Sequence, residues 1–376
     1  MNSVLSYIAA LLVAVLVAAL IAPSFVDWTQ FRGGIEAQAS QAMGRQVRIG
    51  GPIDLVLLPT PRFKLSDVTI ANADDGKAAH LAEVDLLEGA VSLAPLLQGE
   101  IAINGVRAVG GRIFLERNGE GRANWEFLTG GEEGSAVLDP KSVSFDDALI
   151  ESAVVHFESM QTGRSWKVEK VGGELTATSL LGPLRGLLAF ELSGVPATLS
   201  FAVGDFGVGK AYPVSIDVKA DGSTKVEASF SGIVTRTAGI SRLDGSLSGR
   251  VGPAPSEDAA QPADPRRVEF SSAAVIGQNG AEFRTVQIKS AAGTISGAGR
   301  LGWRERLKLT GELTSSSFTV DRFNDIFGPS EEVLEALINS DFPLVDVIDL
   351  ALSADAVILD RRAYRDVSVA HTFTSL

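Results

Sequence analysis

The chain of 376 residues contains no cysteine and only three histidines, His80, His156 and His371. Disulfides, thiol catalysis and zinc sites built from Cys or from Cys and His are therefore excluded. Basic residues are few, since 33 Lys and Arg stand against 46 Asp and Glu and give a formal net charge of -13. This balance argues against a phosphate-binding surface, and we do not expect nucleic acid as a partner.

Candidates for catalytic chemistry are correspondingly scarce. Asp146 and Asp147 are adjacent, but neighbours on a strand face opposite sides, so a solvated turn is favoured over a cooperating carboxylate pair. His80 follows a polar loop and has no second His at a metal-binding interval, which indicates a surface histidine. The glycine-rich segment 204–209 resembles a phosphate loop, but it lacks the long helix whose N-terminus gives such a loop its anion site. We predict no catalytic residue, no metal site and no cofactor, and hence no enzyme.

One long hydrophobic run is present, from Val4 to Ala22. At about 1.5 Å per residue in a helix, this run reaches about 28 Å, which is enough to cross a bilayer. A cleaved signal peptide is the alternative, but the run is longer than a usual h-region, and neither a basic n-region nor a small-x-small cleavage site flanks it. We therefore predict a retained anchor, residues 1–26, that enters the membrane through residues 4–22.

The side of the membrane does not follow from charge. No Lys or Arg precedes the run, whereas Arg32, Arg45 and Arg48 follow it, and a literal count favours a cytoplasmic C-terminal side. Long domains are translocated largely regardless of such charges, so the count leaves both sides open.

Beyond the anchor the pattern is that of half-buried strands. Apolar residues from Phe31 to Met43 recur at helical spacing and Gly44 lies where a C-terminal cap would fall, which predicts one helix. Strand signals bounded by Gly, Asp, Asn or Ser then recur about every 8 to 15 residues from Val47 to Leu313. This favours an antiparallel, mainly β architecture over alternating βαβ units.

Two short helices are predicted near the C-terminal end. The first carries Val320, Phe323 and Phe327, and the second is capped by Ser330 and carries Val333–Ile338. Four prolines between Gly252 and Arg267 mark a linker, and 129–140 is a second loop. The predicted units are a transmembrane anchor (1–26), a first β unit (27–130), a second β unit (140–251), the Pro-rich linker (252–267) and a third β unit with the helix pair (268–376).

Alternation is clearest in the second β unit. Val214, Ile216 and Val218 alternate with polar residues, and the polar segment 220–224 predicts a hairpin loop to the next strand. The candidate wall residues of an apolar groove for acyl chains are Leu199, Phe201, Val203, Val214, Ile216, Val218, Val226 and Phe230. Alternation does not say whether such a face meets a helix, another sheet or lipid, so an open groove and a packed core both remain as readings.

Several short motifs, in order, resemble the N-terminal region of the AsmA family. They are Gly44-Arg45-Gln46-Val47-Arg48-Ile49, Leu57-Leu58-Pro59-Thr60-Pro61, Asp67-Val68-Thr69-Ile70-Ala71-Asn72, Leu93-Ala94-Pro95-Leu96-Leu97-Gln98-Gly99-Glu100-Ile101 and Gly121-Arg122-Ala123-Asn124-Trp125-Glu126-Phe127. The specific part of the resemblance covers residues 1 to 127. Physical chemistry assigns these residues structural roles first, with Pro59 and Pro61 ending a strand and Trp125 serving as a packing anchor.

The resemblance implies a bacterial inner-membrane protein with a single span and a periplasmic, β-rich body related to bridge-like, chorein-type lipid-transfer proteins. The expected fold is mainly β: an N-terminal transmembrane helix, then an elongated, curved antiparallel sheet with an apolar groove and a few short helices. The segment Asp366-Val367-Ser368-Val369 resembles the opening of a further β unit, so the chain is also compatible with the N-terminal portion of a longer protein.

Two functions follow as expectations. In the first, the protein binds or conducts phospholipids through their acyl chains between the inner and outer membranes and supports outer-membrane integrity. In the second, it is a scaffold for outer-membrane biogenesis that contacts assembly proteins through sheet edges and loops without carrying lipid.

Overall fold

The computed structural model describes residues 28–56, 60–92, 101–125, 143–160, 163–179, 181–206, 211–222, 224–237, 240–253, 266–303, 307–327 and 347–374. The predicted anchor, most of the Pro-rich linker and the predicted second helix near Ser330 lie outside these ranges. So do Leu57–Pro59, 93–100 and 126–127 of the AsmA-like motifs. Among the described helices, none has the length and apolar character needed to cross a membrane.

The described residues form one mixed sheet of nineteen strands with three short helical segments. The helical segments are a 3-10 turn (Trp28–Phe31), α1 (Arg32–Met43) and α2 (Val320–Phe327). The strands up to the middle of the chain are β1 (Val47–Ile49), β2 (Ile53–Val56), β3 (Arg62–Ala71), β4 (His80–Val91), β5 (Ile101–Val109), β6 (Arg112–Arg117), β7 (Val143–Ser159), β8 (Arg164–Ala177) and β9 (Leu184–Leu192). The remaining strands are β10 (Val195–Val203), β11 (Tyr212–Asp221), β12 (Lys225–Thr237), β13 (Ile240–Gly252), β14 (Val268–Gly277), β15 (Gly280–Ser290), β16 (Gly293–Gly302), β17 (Lys308–Thr319), β18 (Val347–Leu359) and β19 (Arg362–Thr374).

These residues divide into two compact units. The first reaches Gly186, and the second begins at Leu187 and also includes residues 119–121 and 159–166. The boundaries predicted from composition remain predictions.

The first unit begins with the predicted helix. α1 ends at Gly44, whose φ of 67° is the left-handed cap conformation that glycine adopts without strain. Trp28, Ile35 and Ala39 from this end of the chain pack on a buried apolar cluster. That cluster consists of Val47, Ile49, Ile53 and Val68.

Strand β3 organises the sheet of the first unit. It pairs antiparallel with β4 along one edge, while β1 and β2 share the other edge. In the same way β5 and β6 lie end to end along β4, interrupted at Gly110 and Gly111. Strand β7 then runs parallel to β5, with Ile101 opposite Val143 and Val109 opposite Glu151.

In the second unit consecutive strands from β10 to β17 pair antiparallel, as the alternation predicted. The chain then passes through α2 and returns so that β18 lies parallel to β17, before β19 pairs antiparallel with β18. Among the pairings whose direction the structure describes, the prediction of an antiparallel sheet was therefore wrong for β5 with β7 and for β17 with β18. The helical crossover brings the chain back to the end at which β17 began, which makes the second pairing parallel.

Large side chains are rarely fully buried in the second unit. Most of its buried apolar residues are alanines, and Ile348 is the largest side chain to be almost fully enclosed. Leu301, Leu309 and Leu350 pack around Ile348, and the ring of Phe318 lies 5.6 Å from that of Phe323 on α2. The described strands of this unit are therefore stabilised mainly by the strands beside them in the sheet.

Candidate functional site

The eight predicted wall residues occupy one face of three adjacent strands. They are Leu199, Phe201 and Val203 on β10, Val214, Ile216 and Val218 on β11, and Val226 and Phe230 on β12. The register sets Phe201 opposite Ile216 and Ile216 opposite Phe230. Residues directly opposite in paired strands share a face, so the structure brings all eight together. Their role as a wall for acyl chains stays a prediction.

These side chains are half-buried, and their burial comes from the sheet itself. All eight retain intermediate exposure. Strands β10, β11 and β12 make their extensive contacts with lateral neighbours, and within the described ranges no helix or second sheet packs extensively on them. The described part of the chain therefore leaves this face without a covering layer.

The apolar face continues beyond the three strands that the sequence singled out. Directly opposite positions form one apolar row across eight strands, from β11 to β18. This row consists of Tyr212, Val234, Leu243, Ile276, Ala281, Leu301, Leu309 and Ile348. Sequence reasoning missed the continuation because glycines such as Gly245 and Gly249 interrupt the apolar alternation of β13. The regular spacing of Leu243, Leu247 and Val251 was the signal that could have shown it.

Glycines on this face accommodate phenylalanine rings from the adjacent strand. A methyl group added at Gly245 would lie 2.6 Å from Cζ of Phe230 and would also collide with the carbonyl oxygen of Ser231. At Gly249 the ring of Phe270 occupies the corresponding space. The rings therefore lie across the neighbouring strand, and these two positions require glycine because the backbone and an aromatic ring approach closely.

The opposite face of the same strands is polar and cross-linked by charge. Arg250 Nη2 lies 2.6 Å from Glu227 Oε2, and Glu282 accepts hydrogen bonds from Arg284 at 3.0 Å and Arg300 at 2.5 Å. The hydrogen bond from Arg250 lowers the pKa of the Glu227 carboxyl, and those from Arg284 and Arg300 lower the pKa of Glu282. All of these groups are exposed to solvent. This face therefore suits water, whereas the other face suits an apolar partner.

Two shallow depressions, of about 360 Å³ and 540 Å³, lie on the polar face. The smaller is lined by residues that include Glu227 and Arg250, and the larger by residues that include Glu282 and Arg300. Ion-paired linings of this kind favour hydrated ligands over hydrocarbon. These depressions therefore do not represent the predicted acyl-chain site.

A buried polar network explains the Gly-x-x-Asn-Trp motif of the first unit. Asn124 is 5% exposed, and its Nδ2 donates to Asn72 Oδ1 and to the carbonyl oxygen of Phe114, both at 2.8 Å. The backbone N–H of Glu116 donates to Asn124 Oδ1 at 3.0 Å. Glu116 is 5% exposed, and its carboxylate accepts from Asn72 Nδ2 and from the backbone N–H groups of Lys77 and Ala78. The motif asparagine thus joins β6 to the end of β3.

Five other described motif residues also have structural roles. Val47 and Ile49 of the first motif pair with Ile70 and Val68 of the third. The ring of Trp125 lies 6.1 Å from that of Phe157. This contact fits the packing role predicted for Trp125 from its sequence.

The remaining candidates lie where sequence reasoning expected no chemistry. Asp146 and Asp147 are both exposed, as expected, but they lie within strand β7 and not in the predicted solvated turn. His80 Nδ1 lies 3.0 Å from Glu83 Oε1, and Arg112 donates to the other oxygen of that carboxylate. Residues 204–206 follow β10, and 207–209 fall outside the described ranges. Within those ranges no group of three or more His, Asp or Glu residues could hold a metal ion.

Comparison with known proteins gives one match. Residues 1–144 match the AsmA family, which confirms the resemblance carried by the N-terminal motifs. No curated protein and no solved structure matches the chain. The AsmA family is not an enzyme family; its members are envelope proteins, with a role related to outer-membrane integrity and lipid transport. The similarity to the AsmA family thus extends over residues 1–144 of this chain.

Proposed function

We propose that the protein is anchored in the bacterial inner membrane by residues 4–22, extends its β-rich body into the periplasm, and binds or conducts phospholipids toward the outer membrane. The apolar face of β10, β11 and β12 holds the acyl chains, and the charged face remains in water. The family match supports an envelope role related to lipid transport.

The single observation that carries this proposal is the uncovered apolar face. It is continuous over several strands, its large side chains are half-exposed, and the part of the chain that the structure describes supplies no layer to cover it. Apolar surface costs about 25 cal/mol for each Å² left in water, so a face of this kind favours an apolar partner. Because the opposite face carries ion pairs, an apolar partner is expected only on the apolar face of the sheet.

Photo-crosslinking from position 216 tests the occupant directly. A photoreactive residue at position 216 of the full-length chain, extracted in mild detergent, should form adducts with phospholipid that mass spectrometry identifies. Position 217 is the matched control, because it is adjacent on β11 but lies on the charged face. Adducts with protein alone at position 216 would reject the lipid site and favour the scaffold function.

A substitution separates an open groove from a packed core. In an open groove, Ile216→Asp weakens lipid occupancy while most of the fold survives, because water can reach the carboxylate. In a closed core, the same change buries an unpaired charge, costs several kcal/mol and unfolds the unit. Ile233→Asp is the control, since Ile233 lies on the opposite face of β12 and is 52% exposed. Thermal melting with lipid analysis of both variants distinguishes the two cases.

A further inference from the structure

The smaller of the two depressions on the polar face lies over a regular array of polar side chains. Its charged row alternates in sign across β12, β13, β14 and β15 and consists of Glu227, Arg250, Glu269 and Lys289, each directly opposite the next. A parallel row, two residues away along each strand, consists of Ser229, Ser248, Ser271 and Gln287. Arg267, directly before β14, completes the charged lining. Because adjacent strands lie about 4.8 Å apart, this array places several charged and hydrogen-bonding groups within reach of one small ligand.

The two depressions differ in the sign of their charge. Among the described residues, three basic side chains line the smaller depression against two carboxylates. The larger depression, on the same face, is lined by two described basic side chains against three carboxylates. An excess of positive charge attracts anions, and an excess of negative charge repels them. The smaller depression is therefore the one that suits an anion, although the whole chain has a net charge of -13.

Several donors of the smaller depression are not used within the described part of the chain. Lys289 forms no ion pair with a described residue, although Glu269 stands directly opposite it. The hydroxyl groups of Ser248 and Ser271 make no hydrogen bond with described residues. Arg267 Nε has no hydrogen-bond partner there either, since Glu269 Oε1 lies 3.5 Å away, beyond the usual hydrogen-bond length. Donors and positive charge thus remain available for a ligand.

The backbone holds Arg267 at the rim of this depression. The pairing of β13 with β14 ends with Val251 opposite Val268, which brings the next residue of each strand, Gly252 and Arg267, side by side. Gly252 has a φ of 144°, and a Cβ atom at this position would lie 2.9 Å from the Arg267 Cα. Glycine allows this close approach. The position of Arg267 is therefore set by the sheet and does not depend on an ion pair.

We propose that the smaller depression binds the phosphate group of a phosphate ester, either a soluble one or the headgroup of a phospholipid. Guanidinium groups bind phosphate oxygens through paired N–H donors, and an ammonium group adds a flexible point charge. Arg250 contacts Glu227 through Nη2 and has further N–H groups, while Lys289 and the serine hydroxyls supply additional donors. A volume of about 360 Å³ lies within the range of small-molecule sites, so there is also room for the group esterified to the phosphate.

Charge limits the ligand to one phosphate group. The positive excess of the smaller depression is small, and the depression on the following strands is negative, so a polyanion such as nucleic acid would be repelled as it extended along the face. The site also lies on the face opposite Ile216. It therefore does not depend on acyl-chain binding, and the failure of either proposal would leave the other standing.

Titration with glycerol phosphate tests the site. The full-length chain, in uncharged detergent micelles at low salt, should shift and broaden the phosphorus NMR signal of this probe in a saturable way. Lys289→Gln and Arg267→Gln should each raise the dissociation constant about two- to fivefold, as expected for an exposed charged contact. Glu269→Gln should lower the constant, because it removes a repelling charge. The opposite sign separates an effect on binding from a loss of folding, which would weaken binding in every variant.

The matched control is Arg300→Gln, which removes the same charge from the same face but from the larger depression, so the constant should not change. A second titration uses dihexanoyl phosphatidylglycerol. Weaker binding of this lipid to Lys289→Gln than to the unmodified chain assigns the site to a headgroup, whereas a constant that changes only for glycerol phosphate assigns it to a soluble ester. The proposal would be overturned by no saturable signal with either probe, by an unchanged constant in Lys289→Gln, or by equal weakening in Arg300→Gln.

Discussion

Replacing Asn124 with alanine should destabilise the first unit strongly and locally. The side chain makes three hydrogen bonds, one with Asn72 directly after β3 and two with groups on β6, at 2.8, 2.8 and 3.0 Å, in a place where it is 5% exposed. At about 1 kcal/mol for each bond, plus the cost of leaving the buried Glu116 N–H without its acceptor, the loss is about 3 to 4 kcal/mol.

The matched control is Asn118→Ala. Asn118 also bonds through its side chain, to Asp75 at 2.7 Å and to the Arg122 N–H at 2.9 Å, but these bonds are exposed to solvent. Water can replace such partners, so this change should cost less than about 1 kcal/mol. The two variants differ in burial far more than in the kind of bond that is lost.

Native-state hydrogen exchange measures the effect in the affected segments. A loss of about 3 kcal/mol should accelerate exchange of peptides covering 72–78 and 112–117 by about 100-fold in Asn124→Ala, whereas Asn118→Ala should change it by less than about fivefold. Peptides of β14 to β16 serve as an internal reference. Equal acceleration in the two variants would refute the argument that burial makes these bonds costly to lose.

Three further predictions concern other parts of the chain. Gly245→Ala should destabilise the second unit, because the added methyl group collides with Phe230 and with the Ser231 carbonyl oxygen. Gly34→Ala in α1, where the added methyl group meets nothing within 4 Å, should stabilise the first unit by up to about 1 kcal/mol. Thermal melting measures both changes. Glu36→Ala should cost about 1 to 2 kcal/mol and speed exchange of the Ile49 amide, because that N–H donates to Glu36 Oε1 at 2.7 Å, and unchanged exchange there would contradict this role of the Glu36 carboxylate. The lowered pKa of Glu282 adds stability above its usual carboxyl pKa that is lost as pH falls through the lowered value, so acid titration should weaken the second unit less steeply in Glu282→Gln and at high salt.

Local patterns predicted the local elements well. The α1 helix with its Gly44 cap, the α2 helix and the β11–β12 hairpin follow from residue period and from glycine or polar turn residues within a few positions. The parallel pairings did not follow, because the direction of β18 depends on a crossover between residues 319 and 347, and that of β7 on β5 and β6 lying end to end. Period two carries no information about such distant partners.

In the candidate site, too, local features could be predicted from the sequence and long-range features could not. Alternation correctly indicated which residues of β10, β11 and β12 share a face, because side-chain direction is a local property of a strand. Whether a layer covers that face depends on long-range packing. The network of Asn72, Glu116 and Asn124 has no periodic signal, since its members are up to 52 residues apart. Only the presence of both asparagines in AsmA-like motifs pointed to them.

The repetition of the apolar face bears on how a conduit could release its cargo. Each buried methylene contributes about 0.8 kcal/mol, so a single deep pocket that enclosed a whole acyl chain would hold it too tightly for transfer. In the second unit, apolar side chains recur from strand to strand at a spacing of about 4.8 Å, and the eight predicted wall residues on β10, β11 and β12 are half-exposed rather than enclosed. An acyl chain that moves from one strand to the next exchanges one set of apolar contacts for a similar set, so the net free-energy change of each step is small. For the proposed function, repetition along the sheet therefore matters more than the depth of any one site.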